Sequence, residues 1–116
     1  MQAVTTAAQP QEAIRQAVDC LRRRIRIQQV ILFGSHARGE ADPWSDVDLA
    51  VISSDFARMT HRELMDLLVE AALAAHSTVE IRPYTPKDLR EARPTKFLCH
   101  ILAEGKVVFK GGRFLL

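Results

Sequence analysis

The sequence predicts an α/β (α+β) domain, a small mixed β-sheet with helices packed on one face. Three observations lead there. Segments of helical period alternate with short apolar runs in the order helix, strand, strand, helix, strand, helix, strand. The first two strands are joined by a short connection, 34–45, in which Pro43 excludes a helix along the whole length, so they are antiparallel neighbours. A helix separates the second strand from the third, which makes those two parallel through a right-handed crossover. A chain of 116 residues supports one core and not two.

The elements follow in order. Residues 1–9 are small and polar and read as a flexible N-terminus, 10–110 as the domain, and 111–116 as a C-terminal tail released by Gly111-Gly112. Pro10 suits a first helical turn, and Gln11 to about Arg24 presents Ala13, Ile14, Ala17, Val18, Leu21 and Ile25 on one face. Gln29–Phe33 is a nearly continuous apolar run rich in strand formers, hence a buried strand. Between Asp46 and Ile52 the chain alternates, with Val47, Leu49 and Val51 on one face and Asp46, Asp48 and Ala50 on the other. Residues 53–58 read as a loop. Thr60 with Glu63 is a capping box that opens a helix to about Ala75, with Leu64, Leu67, Leu68, Ala71, Ala72 and Ala75 inward. Thr78–Arg82 reads as a third strand stopped by Pro83. Thr85-Pro86-Lys87-Asp88 is a second helix start, Thr95–Glu104 a further helix ending at Gly105, and Lys106–Lys110 a closing strand.

Composition excludes several classes. Hydrophobic residues make up 47% and charged residues 26%, ordinary for a globular domain. No apolar run is long enough to span a bilayer, and the first ten residues lack a basic segment followed by an apolar one, so a cytoplasmic location without membrane contact is expected. Cys20 and Cys99 have no metal-like spacing and read as reduced thiols. A net charge of +2 is too small to argue for nucleic acid. The cluster Arg22-Arg23-Arg24-Ile25-Arg26 is explained first by a helix end, where cations meet the negative end of the dipole, with a partner surface left open. His36, His61, His76 and His100 share no ligand-like spacing, and Trp44 and Tyr84 read as packing residues that could also stack on a base.

Chemistry concentrates between Phe33 and Leu49. Gly34 permits a sharp turn and a close approach of an anion without a Cβ in the way. Ser35 adds a hydroxyl where the first N–H groups of a short helix would point outward. Asp46 and Asp48 stand two apart on a strand, on one face and roughly 7 Å apart along the backbone. Two carboxylates so placed suit a hard cation such as Mg²⁺. The bland alternative is a tight turn before an edge strand with solvated aspartates. Glu80, between Val79 and Ile81, alternates onto the same open face.

The pattern Gly34-Ser35, ten residues, Asp46-x-Asp48 resembles the signature of the DNA polymerase β-like nucleotidyltransferases. The string from Gly34 to Leu49 is similar to their smallest members, the MNT-type minimal nucleotidyltransferases. The resemblance spans about Pro10 to Phe109 and implies a polymerase β-like palm fold and a Mg²⁺-dependent enzyme using ATP. It makes Asp46, Asp48 and Glu80 the catalytic and metal-binding carboxylates, two ions being implied. Many members carry Asp where Glu80 stands, which leaves open whether Glu80 is a third ligand or a general base. Gly34, Ser35, Arg38 and Ser45 become the nucleotide-binding set. Arg38 either reaches a phosphate or points to solvent, and Ser45 suits orienting the turn beside Asp46. Minimal members lack a second substrate domain, so the resemblance also implies a HEPN-type helical partner, with this chain as antitoxin transferring AMP to a partner hydroxyl. The alternatives are a catalytically weak nucleotide-binding antitoxin acting by complex formation, and a small-molecule transferase of the aminoglycoside-modifying kind.

Overall fold

The computed structural model describes residues 10–42, 45–76, 78–93 and 96–116. The N-terminal nine residues, Pro43, Trp44 and the helix start expected at Thr95 lie outside the described residues. Helix α1 (Pro10–Arg22) begins at its proline and buries Ala13, Ile14, Ala17, Val18 and Leu21, the face read from the sequence. It leads into β1 (Gln29–Phe33), the short helix α2 (Ser35–Arg38) and β2 (Val47–Ile52). Residues expected as a loop form a 3₁₀ helix (Ser54–Arg58), because the Ser53 hydroxyl accepts from the Asp55 N–H and nucleates the turn. Helix α3 (His61–Ala74) opens with the Thr60–Glu63 capping box fully formed, at 3.1 and 2.8 Å.

Strand β3 (Val79–Tyr84) runs through Pro83 instead of stopping there. The reason is its place in the sheet, whose order is β3-β2-β1-β4-β5. An edge strand tolerates a proline whose missing N–H faces away from its neighbour. A second capping box, Thr85–Asp88, starts α4 (Pro86–Arg90), and α5 (Phe97–Glu104) precedes β4 (Lys106–Lys110). The tail was expected to leave the domain after Gly111-Gly112. Both glycines instead take positive φ, 60° and 81°, and turn the chain back into β5 (Arg113–Phe114). Two consecutive left-handed residues make the tight hairpin that glycine permits.

Pairing is as the connections require. β1 is antiparallel to β2 and to β4, and β2 is parallel to β3. Alternation along the strands sends Val30, Leu32, Val47, Leu49, Val51 and Val79 into one core with α1 and α3. The other face carries a smaller cluster of Ile31, Phe33, Ala50 and Ile101. Thus α1 and α3 share one face, while α5 lies on the other, drawn there by the apolar side chains of Ile31 and Ala50. The rest of that second face is open. Among the described residues no helix is long and apolar enough to cross a membrane.

Candidate active site

On the open face, one row of side chains crosses three strands. Phe33 on β1 pairs with Asp48 on β2, and Asp48 pairs with Glu80 on β3. Asp46 stands just before β2, where the Val47 N–H is already bonded to the Thr78 carbonyl (2.9 Å). It shares the parity of Asp48 and contacts Glu80 through a side-chain hydrogen bond. The three predicted carboxylates are therefore brought together at the end of the sheet where β1 gives way to Gly34.

Gly34 closes the row. Its backbone, φ 78° and ψ −158°, lies in a region essentially restricted to glycine. A Cβ there would collide with the Asp48 carboxylate. The Gly34 carbonyl accepts from the N–H groups of Ala37 and Arg38 at 3.1 and 3.2 Å, closing the first turn of α2. Ser35 begins that helix, half-buried beside the carboxylate row.

The carboxylates are short of compensating charge. Burial and then the charge of Asp46 raise the proton affinity of Asp48, with His36, Arg82 and Arg38 opposing. Glu80 is raised by its hydrogen bond to Asp46 and then by the charge of Asp48. Both groups keep their protons to a higher pH in the folded chain than in the unfolded one. The contribution of these two groups to folding stability is therefore fully present below their ordinary carboxylate range and is lost as pH rises through the raised values. In the presence of a chelator, Asp48→Asn should stabilise the protein at pH 7.5 by about 1 kcal/mol, the scale of a removed surface repulsion. The gain should vanish near pH 3, where the parent carboxyl is neutral as well. Urea unfolding at the two pH values reads this directly, and a destabilised variant at pH 7.5 would contradict it.

The remaining predicted residues are nearby but engaged. Arg38 donates from Nε to Glu40 at 2.9 Å, and this bond is the main reason its proton affinity is raised. The Ser45 hydroxyl accepts from the Asp42 N–H (3.0 Å) and donates to the Asp42 carboxylate (3.2 Å). Ser45 thus shapes the turn that delivers Asp46, and its carbonyl lies 3.3 Å from His36 Nε2. Cys20 and Cys99 are free thiols outside the row.

Two residues of the open face were missed in the sequence. Arg82 alternates with Glu80 along β3, a period-two signal that could have placed it. Phe97 on α5 had no such signal. It meets Phe33 edge-on at 5.8 Å and carries the Arg82 guanidinium over its ring at 4.5 Å. A pocket of about 290 Å³ opens between α5 and the row, lined by Gly34, Arg38, Asp48, Phe97, His100 and Glu104. A larger hollow of about 650 Å³ lies at the opposite end of β1, between the arginine cluster and the Gly111-Gly112 turn. It contains none of the carboxylates, so size does not mark the site here.

Among the described residues no three His, Cys, Asp or Glu side chains form a ready-made metal cage. Magnesium does not require one. It is usually held by one or two carboxylates, with water and substrate phosphate completing six oxygens. An all-oxygen set of under-compensated carboxylates beside a bare glycine fits that demand.

Residues 14–107 match the family model described as "Nucleotidyltransferase domain". The chain belongs to that family. It is also 32% identical over 88 residues to "Putative protein adenylyltransferase MJ1305" of Methanocaldococcus jannaschii, covering 73% of this chain and 60% of that protein. The chain thus spans about 60% of that relative's length. It superposes on a chain of a crystal structure of a toxin-antitoxin with AMP-PNP with a TM-score of 0.60 at 28% identity, covering 83% of this chain and 72% of the other. A structure of tri-AMPylated Shewanella oneidensis HEPN toxin in complex with MNT antitoxin matches with a TM-score of 0.57 at 25% identity, over 87% of this chain and 72% of the other. These matches place the chain with the MNT-type nucleotidyltransferases.

Proposed function

We propose that this nucleotidyltransferase is Mg²⁺-dependent and moves AMP from ATP to a hydroxyl of a HEPN-type partner protein, as the antitoxin of the pair. The single observation that carries the reading is the row Asp46, Asp48 and Glu80 closed by the bare Gly34 turn. Solvated aspartates on an edge strand would not need a glycine whose missing Cβ makes room for one of them. The acceptor and partner rest on the names of the relatives, an adenylyltransferase and an AMPylated toxin bound to an antitoxin.

In this reading Asp46 and Asp48, with Glu80, hold the cation. Bound there, it supplies charge neutralisation at the phosphoryl oxygens and lowers the pKa of the attacking hydroxyl. Gly34 and Ser35 receive the β- and γ-phosphates, the glycine by leaving room and the serine through its hydroxyl. The acceptor oxygen attacks the α-phosphorus, the bond to the bridging oxygen of pyrophosphate breaks, and pyrophosphate leaves in line. Glu80, beside Asp48 on the next strand, takes the hydroxyl proton where it does not itself complete the cation's ligands. Arg38 is held by Glu40 and has to leave it to reach a phosphate.

Intact-mass measurement of the partner after incubation with this chain, ATP and Mg²⁺ tests the proposal. One or more AMP increments are expected, and none when the cation is chelated. ATP at a hundredfold excess over its Kd should also stabilise the chain by about 2–3 kcal/mol, only with the cation present. An unmodified partner under these conditions would overturn the transferase reading.

A further inference from the structure

The geometry points to Arg82 as the cation that grips the α-phosphoryl group of the bound nucleotide, with Phe97 as the platform that holds it ready. This rests on the site proposed above and adds a contact not assigned to it. Arg82 lies on β3 two residues beyond Glu80, on the same face, with Ala50 as its neighbour across the sheet. That position flanks the carboxylate row one step further along β3, and the guanidinium lies over the α5 ring that also touches Phe33, the residue before Gly34.

Among the described residues its guanidinium takes no carboxylate partner and lies on an aromatic ring, a state Arg15 shares over Phe114, but Arg82 does so on the face of the carboxylate row. Arg22, Arg24, Arg38 and Arg58 each pair with a carboxylate within 3.5 Å. Arg82 pairs with none among the described residues, although three carboxylates share its face and its charge is felt by Asp48 and Glu80. It rests instead over the ring of Phe97. Stacking on an aromatic face satisfies a guanidinium without using its N–H donors. The carboxylates are thus left for a cation, and the Arg82 fork is left for an anion. A phosphoryl group bound on the carboxylate row matches that fork in shape and charge.

Phe97 is one of several exposed apolar side chains, with Leu102 of the same helix, but it is the one that meets both Phe33 and Arg82. It is 48% exposed at the start of a helix that buries Leu98 and Ile101. Its edge contact with Phe33, the residue before Gly34, ties the platform to the phosphate turn. Arg82 and the glycine turn are therefore held in one register through a single ring.

Binding of AMP-PNP with Mg²⁺, measured by calorimetry on the full chain, tests the contact without relying on transfer. Arg82→Gln should weaken it about tenfold to a hundredfold, the worth of one hydrogen-bonded charge pair, with an unchanged unfolding temperature because the side chain is exposed. Arg82→Lys should recover part of the loss, and Phe97→Leu should cost a smaller factor by freeing the guanidinium. In the transfer assay Arg82→Gln should lose about a hundredfold in kcat, more than its affinity loss at saturating ATP can explain. Parent-like AMP-PNP affinity in Arg82→Gln overturns the assignment, and parent-like affinity in Phe97→Leu removes the platform. A parent that binds AMP-PNP yet modifies no partner would sink the functional reading while leaving the binding test of Arg82 intact.

Discussion

Gly34→Ala is expected to cost about 2–4 kcal/mol of folding stability and to remove nucleotide binding together with transfer. Two effects add. A backbone at φ 78° and ψ −158° is strained for any residue with a Cβ, by on the order of 1–3 kcal/mol. The new methyl must also displace the Asp48 carboxylate, which lies where the Cβ would go. Asp48 cannot yield freely, since its strand is paired on both sides, to Phe33 and to Glu80. A loss of this size lowers the unfolding temperature by on the order of 10 °C in a domain of this length. Gly39→Ala is the matched control. Gly39 has φ 74° with open space around it, so it carries backbone strain without a collision. Its variant should lose about 1 kcal/mol and keep nucleotide binding. Equal losses in the two variants, or a Gly34→Ala protein that still binds Mg²⁺ and ATP like the parent, would show that the glycine does not guard the carboxylate.

Much of this was legible because the decisive signals are local. A capping box is read from two residues at fixed spacing; Thr60–Glu63 forms as read, and the helix start read at Thr85-Pro86-Lys87-Asp88 proves to be a second box. Strand alternation put Asp48 and Glu80 on one face before any sheet was assembled, and the β2–β3 register then made them direct neighbours. What was not legible depends on position in the sheet. Pro83 stops a central strand but not an edge one, and no local pattern says which of these β3 is. Gly111-Gly112 reads equally as a release or a hairpin until β4 offers an edge for Arg113 and Phe114 to join. The placement of α5 on the second face follows from Ile31 and Ala50 needing cover, a demand that appears only after β1 and β2 are paired. For the same reason Phe97 was invisible, since its importance comes from meeting Phe33 and Arg82 across the fold.

The double variant Asp46→Asn with Asp48→Asn should separate catalysis from capture of the partner. Asparagine keeps the shape of each side chain and removes charge from a row where the carboxylates repel one another, so the fold should persist or gain stability without the cation. Loss of the cation site removes charge stabilisation that exists mainly in the transition state, commonly several powers of ten in rate. AMP increments on a HEPN-type partner should therefore disappear, while the complex with that partner survives, because none of the changed atoms lies outside the carboxylate row. A toxin freed from the variant complex should then be fully active, and one freed from the parent complex after incubation with ATP and Mg²⁺ should not. An antitoxin that works by contact alone predicts a different pattern, in which parent and variant neutralise equally and neither leaves a mass increment. The repulsion stored in the row favours the first pattern. Three acidic groups are held together at a cost to the folded chain that His36, Arg82 and Arg38 oppose without cancelling, and a bound cation would offset it.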